Sequence, residues 1–244
     1  MPIIAAGAPL AVAVTEAIQT GDLASLRRLL REHPELASAR LSDPGDGGES
    51  RTLLHVATDW PGHFPNGPAV VAALVEAGAD VDARFVGAHA ETPLHWAASS
   101  DDVEVLDALV DAGADLEAPG AVLGGGTPLA DAVGFGQWRA ARRLLEHGAR
   151  TTLWQAAALG LLDRVKEQFA GADPPTPEEV TDAFWQACHG GQRQTAEYLL
   201  DRGADRNWVG WDDRTPLDIA AAQGADEVVR WLRSEGARPA AELR

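Results

Sequence analysis

Four residues of this sequence combine a titratable group with surroundings that could put it to chemical use: Asp131, His189, Asp59 and His63. Asp131 interrupts the otherwise apolar run Leu129-Ala130-Asp131-Ala132-Val133. A carboxylate held among apolar or indole side chains has a raised pKa, as a general acid or base working near neutrality needs. The competing reading is a structural carboxylate hydrogen-bonded to a neighbouring loop. His189 offers a second proton-transfer group, and Asp59 and His63 lie in a Pro/Gly-rich inserted loop. Cys188 adjoins His189, but neighbours on a helix diverge by about 100°, and a buried structural thiol is the better reading. The run Gly124-Gly125-Gly126-Thr127 could cradle an anion through its N–H groups. Lacking a Walker lysine or a dinucleotide fingerprint, it reads instead as a flexible loop tip. No metal-ligand spacing and no cofactor motif appear, so neither a metal nor a cofactor is expected.

Charge narrows the partners. The chain carries a formal net charge of −17 and a single lysine, Lys166. Binding a nucleic-acid backbone or an anionic membrane needs clustered cations. The arginine pairs Arg27-Arg28 and Arg142-Arg143 are read as solvated surface, so no nucleic acid and no membrane partner is expected. One cysteine excludes an intramolecular disulfide. Residues 1–14 are apolar without a cationic flank, and no segment reaches a bilayer span, so a soluble, cytoplasmic protein is expected.

The elements that would position these groups repeat. Thr92-Pro93-Leu94-His95-Trp96-Ala97-Ala98 has echoes at Thr52-Leu53-Leu54-His55, Thr127-Pro128-Leu129 and Thr215-Pro216-Leu217, and a looser one at Thr151-Thr152-Leu153-Trp154. Gly-Ala pairs at 78, 113, 148, 171, 203 and 236 follow at spacings of 35, 35, 23, 32 and 33 residues. Each threonine suits a helix N-cap, a following proline suits the first turn, and each glycine suits a left-handed helix end. This pattern resembles the ankyrin repeat.

The resemblance implies an all-α solenoid of about seven helix-turn-helix units with short hairpin fingers over residues 12–238, between an extension at 1–11 and a tail at 239–244. The units run 12–36, 52–80, 92–115, 127–150, 151–173, 182–205 and 215–238, the terminal ones atypical because one side of each faces solvent. The irregularities fall on one side of the array. They are an insert over Asp59–Pro68, long fingers at 81–91 and 116–126, a missing finger after Ala149, and a stiff Pro174-Pro175-Thr176-Pro177 turn.

Inner helices and fingers form the concave face in such repeats, and partners usually bind there. The histidine of the motif is then a structural hydrogen-bonder, which removes His55 and His95 from the chemical candidates. Positions four, seven and eight after each threonine share a face. They include Asp59, Trp60, Trp96, Asp131, Phe135, Gln155, Gln186 and His189, while Trp154 and Trp185 occupy the histidine slot. These ten residues are the expected ligand- or partner-binding set, rimmed by finger residues including Val122, Leu123 and Trp211. The family resemblance favours recognition of a protein partner, and the acidic charge favours a basic one. The alternative is a small polar-aromatic molecule in a Trp/Asp/His-lined pocket, either bound or converted by cofactor-independent acid/base-assisted rearrangement, cyclisation or hydrolysis.

Overall fold

The computed structural model describes residues 2–42, 45 and 47–243. The chain divides into two compact units, Met1–Ala149 and Arg150–Arg244, each an all-α stack of helix pairs.

The N-terminal unit opens with strand β1 (Ile3–Ala5) and the pair α1 (Pro9–Thr20) and α2 (Leu23–Glu32). Strands β2 (Arg40–Ser42) and β3 (Arg51–Thr52) follow. β1 runs parallel to β2, and β2 antiparallel to β3. This small sheet was not foreseen, and α1 begins three residues before the expected start of the repeats. Three further pairs follow: α3 (Leu53–Thr58) with α4 (Gly67–Glu76), α5 (Pro93–Ser99) with α6 (Val103–Asp111), and α7 (Pro128–Gly134) with α8 (Trp138–Glu146). The inner helices α1, α3, α5 and α7 pack in sequence, as do the outer helices α2, α4, α6 and α8. Leu54, Leu94 and Leu129 from the inner row and Leu26, Leu74, Leu106 and Leu144 from the outer row are fully buried between them. One repeat alone could not shield these leucines, so the core is continuous along the stack.

The C-terminal unit contains α9 (Leu153–Ala158) with α10 (Leu162–Ala170), α11 (Pro177–His189) with α12 (Arg193–Leu200), and α13 (Pro216–Ala222) with α14 (Asp226–Ser234). Its core centres on Phe184, Cys188, Leu199 and Leu232, with Phe184 meeting Trp231 edge to face at 6.3 Å between ring centroids. Two expectations need correction here. The Pro174–Pro177 segment is not only a turn, because Thr176 caps α11 and Glu179 reaches back to the Thr176 N–H at 2.8 Å. This reciprocal capping box starts the helix at Pro177, five residues before the expected Asp182. In the preceding repeat the cap is Thr152, not Thr151, so Gln155 stands three residues after its cap.

Close approach between inner helices is tightest at Gly190. A β-carbon there would lie 1.8 Å from the Ala158 carbonyl oxygen, while φ at Gly190 is an ordinary −78°. Backbone cannot yield as a side-chain tip can, so Gly190→Ala is expected to destabilise the C-terminal unit by about 1–3 kcal/mol through overpacking alone. Urea unfolding followed by hydrogen exchange in α9 and α11 measures this. Unchanged protection would mean that the two helices separate freely.

Candidate functional site

The repeated caps hold the site in place. In α5, His95 Nδ1 accepts from the Thr92 N–H at 3.1 Å and lies 2.9 Å from its Oγ1, which leaves Nε2–H to donate to the Gly126 carbonyl at 3.3 Å. In α3, His55 repeats the arrangement with Thr52 and with the Glu91 carbonyl at 3.1 Å. Both imidazoles are fully buried. Burial holds them neutral, lowering the pKa to about 3 for His55 and about 4 for His95. Each ties its own helix start to the carbonyl that precedes the next threonine. The reaching-back role passes to other acceptors elsewhere: Gln155 Oε1 at 2.8 Å from the Thr152 N–H, and Asp218 Oδ2 at 3.1 Å from that of Thr215.

His55 also fixes an aromatic wall. The Trp96 ring stands edge-on to it at 4.9 Å and packs at 5.5 Å against Phe85 of the preceding finger. Trp96 therefore has little freedom to turn. It borders a cleft of about 460 Å³ on the inner-helix and finger side of the N-terminal unit. Thr58, Asp59 and Trp60 line one side, Val122, Asp131, Phe135 and Gln137 another, and Glu91, Trp96, Ser99 and Ser100 lie between.

Each wall has a local cause. Asp59 ends α3 and pairs with Arg51 at 2.7 Å, while its Oδ1 accepts from the Trp60 N–H at 3.0 Å. Burial raises the Asp59 pKa against the pull of Arg51 and that amide. The loop after Trp60 is anchored to the next repeat: the His63 N–H donates to Asp102 Oδ2 at 2.6 Å, and its Nε2 meets the Ser100 carbonyl at 3.1 Å. Asn66 Nδ2 donates to the Gly21 carbonyl of the preceding repeat at 3.0 Å. Trp60 is thereby presented at the cleft rim with 81% of its surface exposed, and the His63 ring is occupied with anchoring. On the opposite side, Gly124 and Gly125 adopt left-handed φ of 64° and 70°, and the finger is closed by the Ala121 N–H to Gly126 carbonyl bond at 3.0 Å. The glycine tip is thus a hydrogen-bonded turn. Gly134 lacks the β-carbon that would collide with Leu123 at 1.8 Å, which lets the finger lie on α7.

That finger closes over Asp131. The carboxyl group is 1% exposed, and its Oδ1 has no hydrogen-bond partner among the described residues. Burial, with a smaller contribution from the Glu91 charge, raises its pKa to about 7, although the backbone N–H groups of Leu123 and Val122 favour the ionised form. Glu91, itself buried, was not among the sequence candidates. It directly precedes Thr92, and no feature of the motif distinguishes that position until the finger is folded. Gln137 was missed for a similar reason: its Nε2 crosses to the Ser99 carbonyl at 2.9 Å from the turn before α8.

The ten expected site residues fall into two groups. Asp59, Trp60, Trp96, Asp131 and Phe135 line the one cleft. Trp154, Gln155, Trp185, Gln186 and His189 lie in the C-terminal unit on α9 and α11. Gln155 is engaged in its cap, and Trp154 is half-buried. Trp185 is 4% exposed and donates its indole N–H to the Arg214 carbonyl at 2.9 Å, the same tie that His55 and His95 make. Trp185→Phe keeps an aromatic ring but removes that bond, leaving the Arg214 carbonyl only the Gly210 N–H at 3.0 Å, at an expected cost of about 1 kcal/mol in thermal or urea unfolding. No loss would mean that water replaces the bond. Gln186 is buried, and among the described residues its Oε1 has no partner. His189 lies 5.5 Å from the Trp185 ring, and burial lowers its pKa to about 4, so it is neutral at pH 7. Burial likewise pushes the Cys188 thiol well above its ordinary pKa, away from the reactive thiolate. Among the described residues no three His, Cys, Asp or Glu side chains group as metal ligands, and no helix is long and apolar enough to cross a membrane.

Paired helices, threonine caps and carbonyl ties between repeats define a helix-turn-helix repeat protein. A family model described as ankyrin repeats (3 copies) matches residues 66–153 and 153–242, and the chain belongs to the ankyrin repeat family. No curated protein matches the chain. Ankyrin repeats generally mediate protein–protein interaction.

Proposed function

We propose that the N-terminal unit recognises a segment of a protein partner in the cleft between Trp60, Trp96 and Phe135. The observation that carries this reading is the combination of a preformed aromatic wall, a widely exposed Trp60 and a buried carboxyl oxygen with an unused acceptor site. Exposed Trp and Phe beside a pocket act as anchors in protein interfaces, and a few buried polar groups set register. Val122 and Leu123, exposed beside Phe135, extend the apolar rim. The formal charge of −17 favours a basic partner.

Selection of displayed random peptides tests this. Peptides enriched on the wild-type protein are expected to bind Trp60→Ala at least tenfold more weakly, the loss typical of a hot-spot side chain. Trp60 is exposed, so its removal leaves the core intact. Enriched peptides that bind Trp60→Ala equally well would contradict the proposal.

A second reading is supported by the Asp131 pKa near 7. A carboxyl group balanced between its two states could donate or accept a proton for a small polar-aromatic molecule, without a cofactor. A metabolite screen separates this reading from the first. Turnover lost in Asp131→Asn supports it, and ligand binding without turnover opposes it.

A further inference from the structure

We infer that the cleft receives an arginine side chain of the partner, its guanidinium group held by Asp131 and Glu91 against Trp96 and Trp60. The inference rests on the peptide-binding reading above and specifies the chemistry of the anchor. Charge complementarity supports it first. The lining contains the carboxylates Asp59, Glu91 and Asp131 and no lysine or arginine. Arg51 stands outside the lining and is engaged with Asp59 at 2.7 Å. Among the described residues no ion pair reaches Glu91 or Asp131, so the two inner carboxyl groups lack a counter-charge.

A cluster of acids by itself selects no ligand, but Asp131 adds an independent requirement. It is almost wholly buried, it lines the cleft, and its Oδ1 is unpaired. A buried acceptor left unmet is unfavourable, and a donor arriving through the cleft would satisfy it. The aromatic walls make a third point. Indole and phenyl faces attract cations, and guanidinium is the side-chain cation most often found over them. It is planar, carries five donors able to serve two carboxyl groups, and is more weakly hydrated than an ammonium, so entry into a half-enclosed site costs less.

Citrulline has the shape of arginine without its charge, and so provides the test. The peptides selected above are synthesised with arginine, citrulline or norleucine at each cationic position. Their binding to wild-type protein and to Asp131→Asn is measured by calorimetry. The expected result is an arginine shared by the Trp60-dependent peptides, whose change to citrulline weakens wild-type binding at least tenfold and Asp131→Asn binding much less. Trp60-dependent peptides that lack arginine, or that bind equally well with citrulline, would overturn the arginine assignment and leave the peptide-binding reading standing. If no selected peptide depends on Trp60, both fail.

Discussion

In Asp131→Asn, helices α5 and α7 are expected to resist opening at pH 8 more strongly than in the wild type, by about 2–4 kcal/mol. The gain comes from removing a buried charge. Folding raises the Asp131 pKa to about 7 from an ordinary 3.8. Above pH 7 the folded chain holds an ionised carboxylate in a site that disfavours it, whereas in the unfolded chain the same group is solvated. As pH falls through 7 the folded form takes up a proton first, so stability is gained between pH 7 and 3.8. The advantage of asparagine should therefore shrink steadily and be nearly gone by pH 4. Hydrogen exchange of α5 and α7 amides at pH 8 and pH 5, corrected for the intrinsic rates, reads the difference. Equal protection in both proteins at pH 8 would show Asp131 to be an ordinary solvated carboxylate. Groups retained for binding at the expense of stability behave in this way, and the same substitution is expected to weaken ligand binding.

The second large effect has the opposite sign. His55 and His95 are buried neutral, with folded pKa values of about 3 and about 4 against 6.5 for the free group. Below pH 6.5 the unfolded chain binds protons that the folded chain cannot, so stability is lost from pH 6.5 downwards until the folded values are reached. At pH 5 each imidazole should cost about 2 kcal/mol, or about 4 kcal/mol for the pair. In the wild type, the gain from Asp131 offsets much of this. Asp131→Asn removes the offset, so its N-terminal unit should lose stability steeply between pH 6.5 and 5 while the wild type loses only about 1–2 kcal/mol. Exchange rates in α3 and α5, where the two histidines reside, report the loss directly. A flat profile in Asp131→Asn would mean that water reaches the rings. Because Trp96 leans on His55 at 4.9 Å and the folded ring stays neutral until about pH 3, its fluorescence in the folded protein should stay constant between pH 6.5 and 5.

Both effects hinge on residues whose places were legible to different degrees. The threonine, proline and glycine punctuation marked most helix pairs, because caps and left-handed helix ends restrict residue type strongly. The motif also separated the structural histidines from the candidates: in each, one ring nitrogen serves its own cap and the other ties to the carbonyl before the next threonine. Where a cap uses other residue types the reading slipped: Thr176 with Glu179 lengthened α11, and Thr152 with Gln155 moved a helix start by one residue. The three-stranded sheet at the N-terminus was invisible because strands of two or three residues carry no period.

The cleft was half legible. Asp59, Trp60, Trp96, Asp131 and Phe135 shared a face by helical spacing and line one cleft, although α3 ends at Thr58 and Asp59 and Trp60 reach it from the extended segment beyond. Glu91 and Gln137 come from segments between helices, whose path depends on Gly134 admitting Leu123 and on Arg84 donating to the Ala90 and Pro119 carbonyls. No periodicity encodes such contacts. The C-terminal candidates divide on the same principle. Trp185 and Gln155 stand in slots that the repeat uses for its own hydrogen bonds, and there they serve the scaffold.

The most direct test of the cleft as the recognition surface is a crystal structure of the protein with a selected, Trp60-dependent peptide. The expected result is a peptide side chain seated between Trp60, Trp96 and Phe135 with a donor on Asp131 Oδ1. A peptide bound on another face, with that oxygen still unpaired, would contradict it.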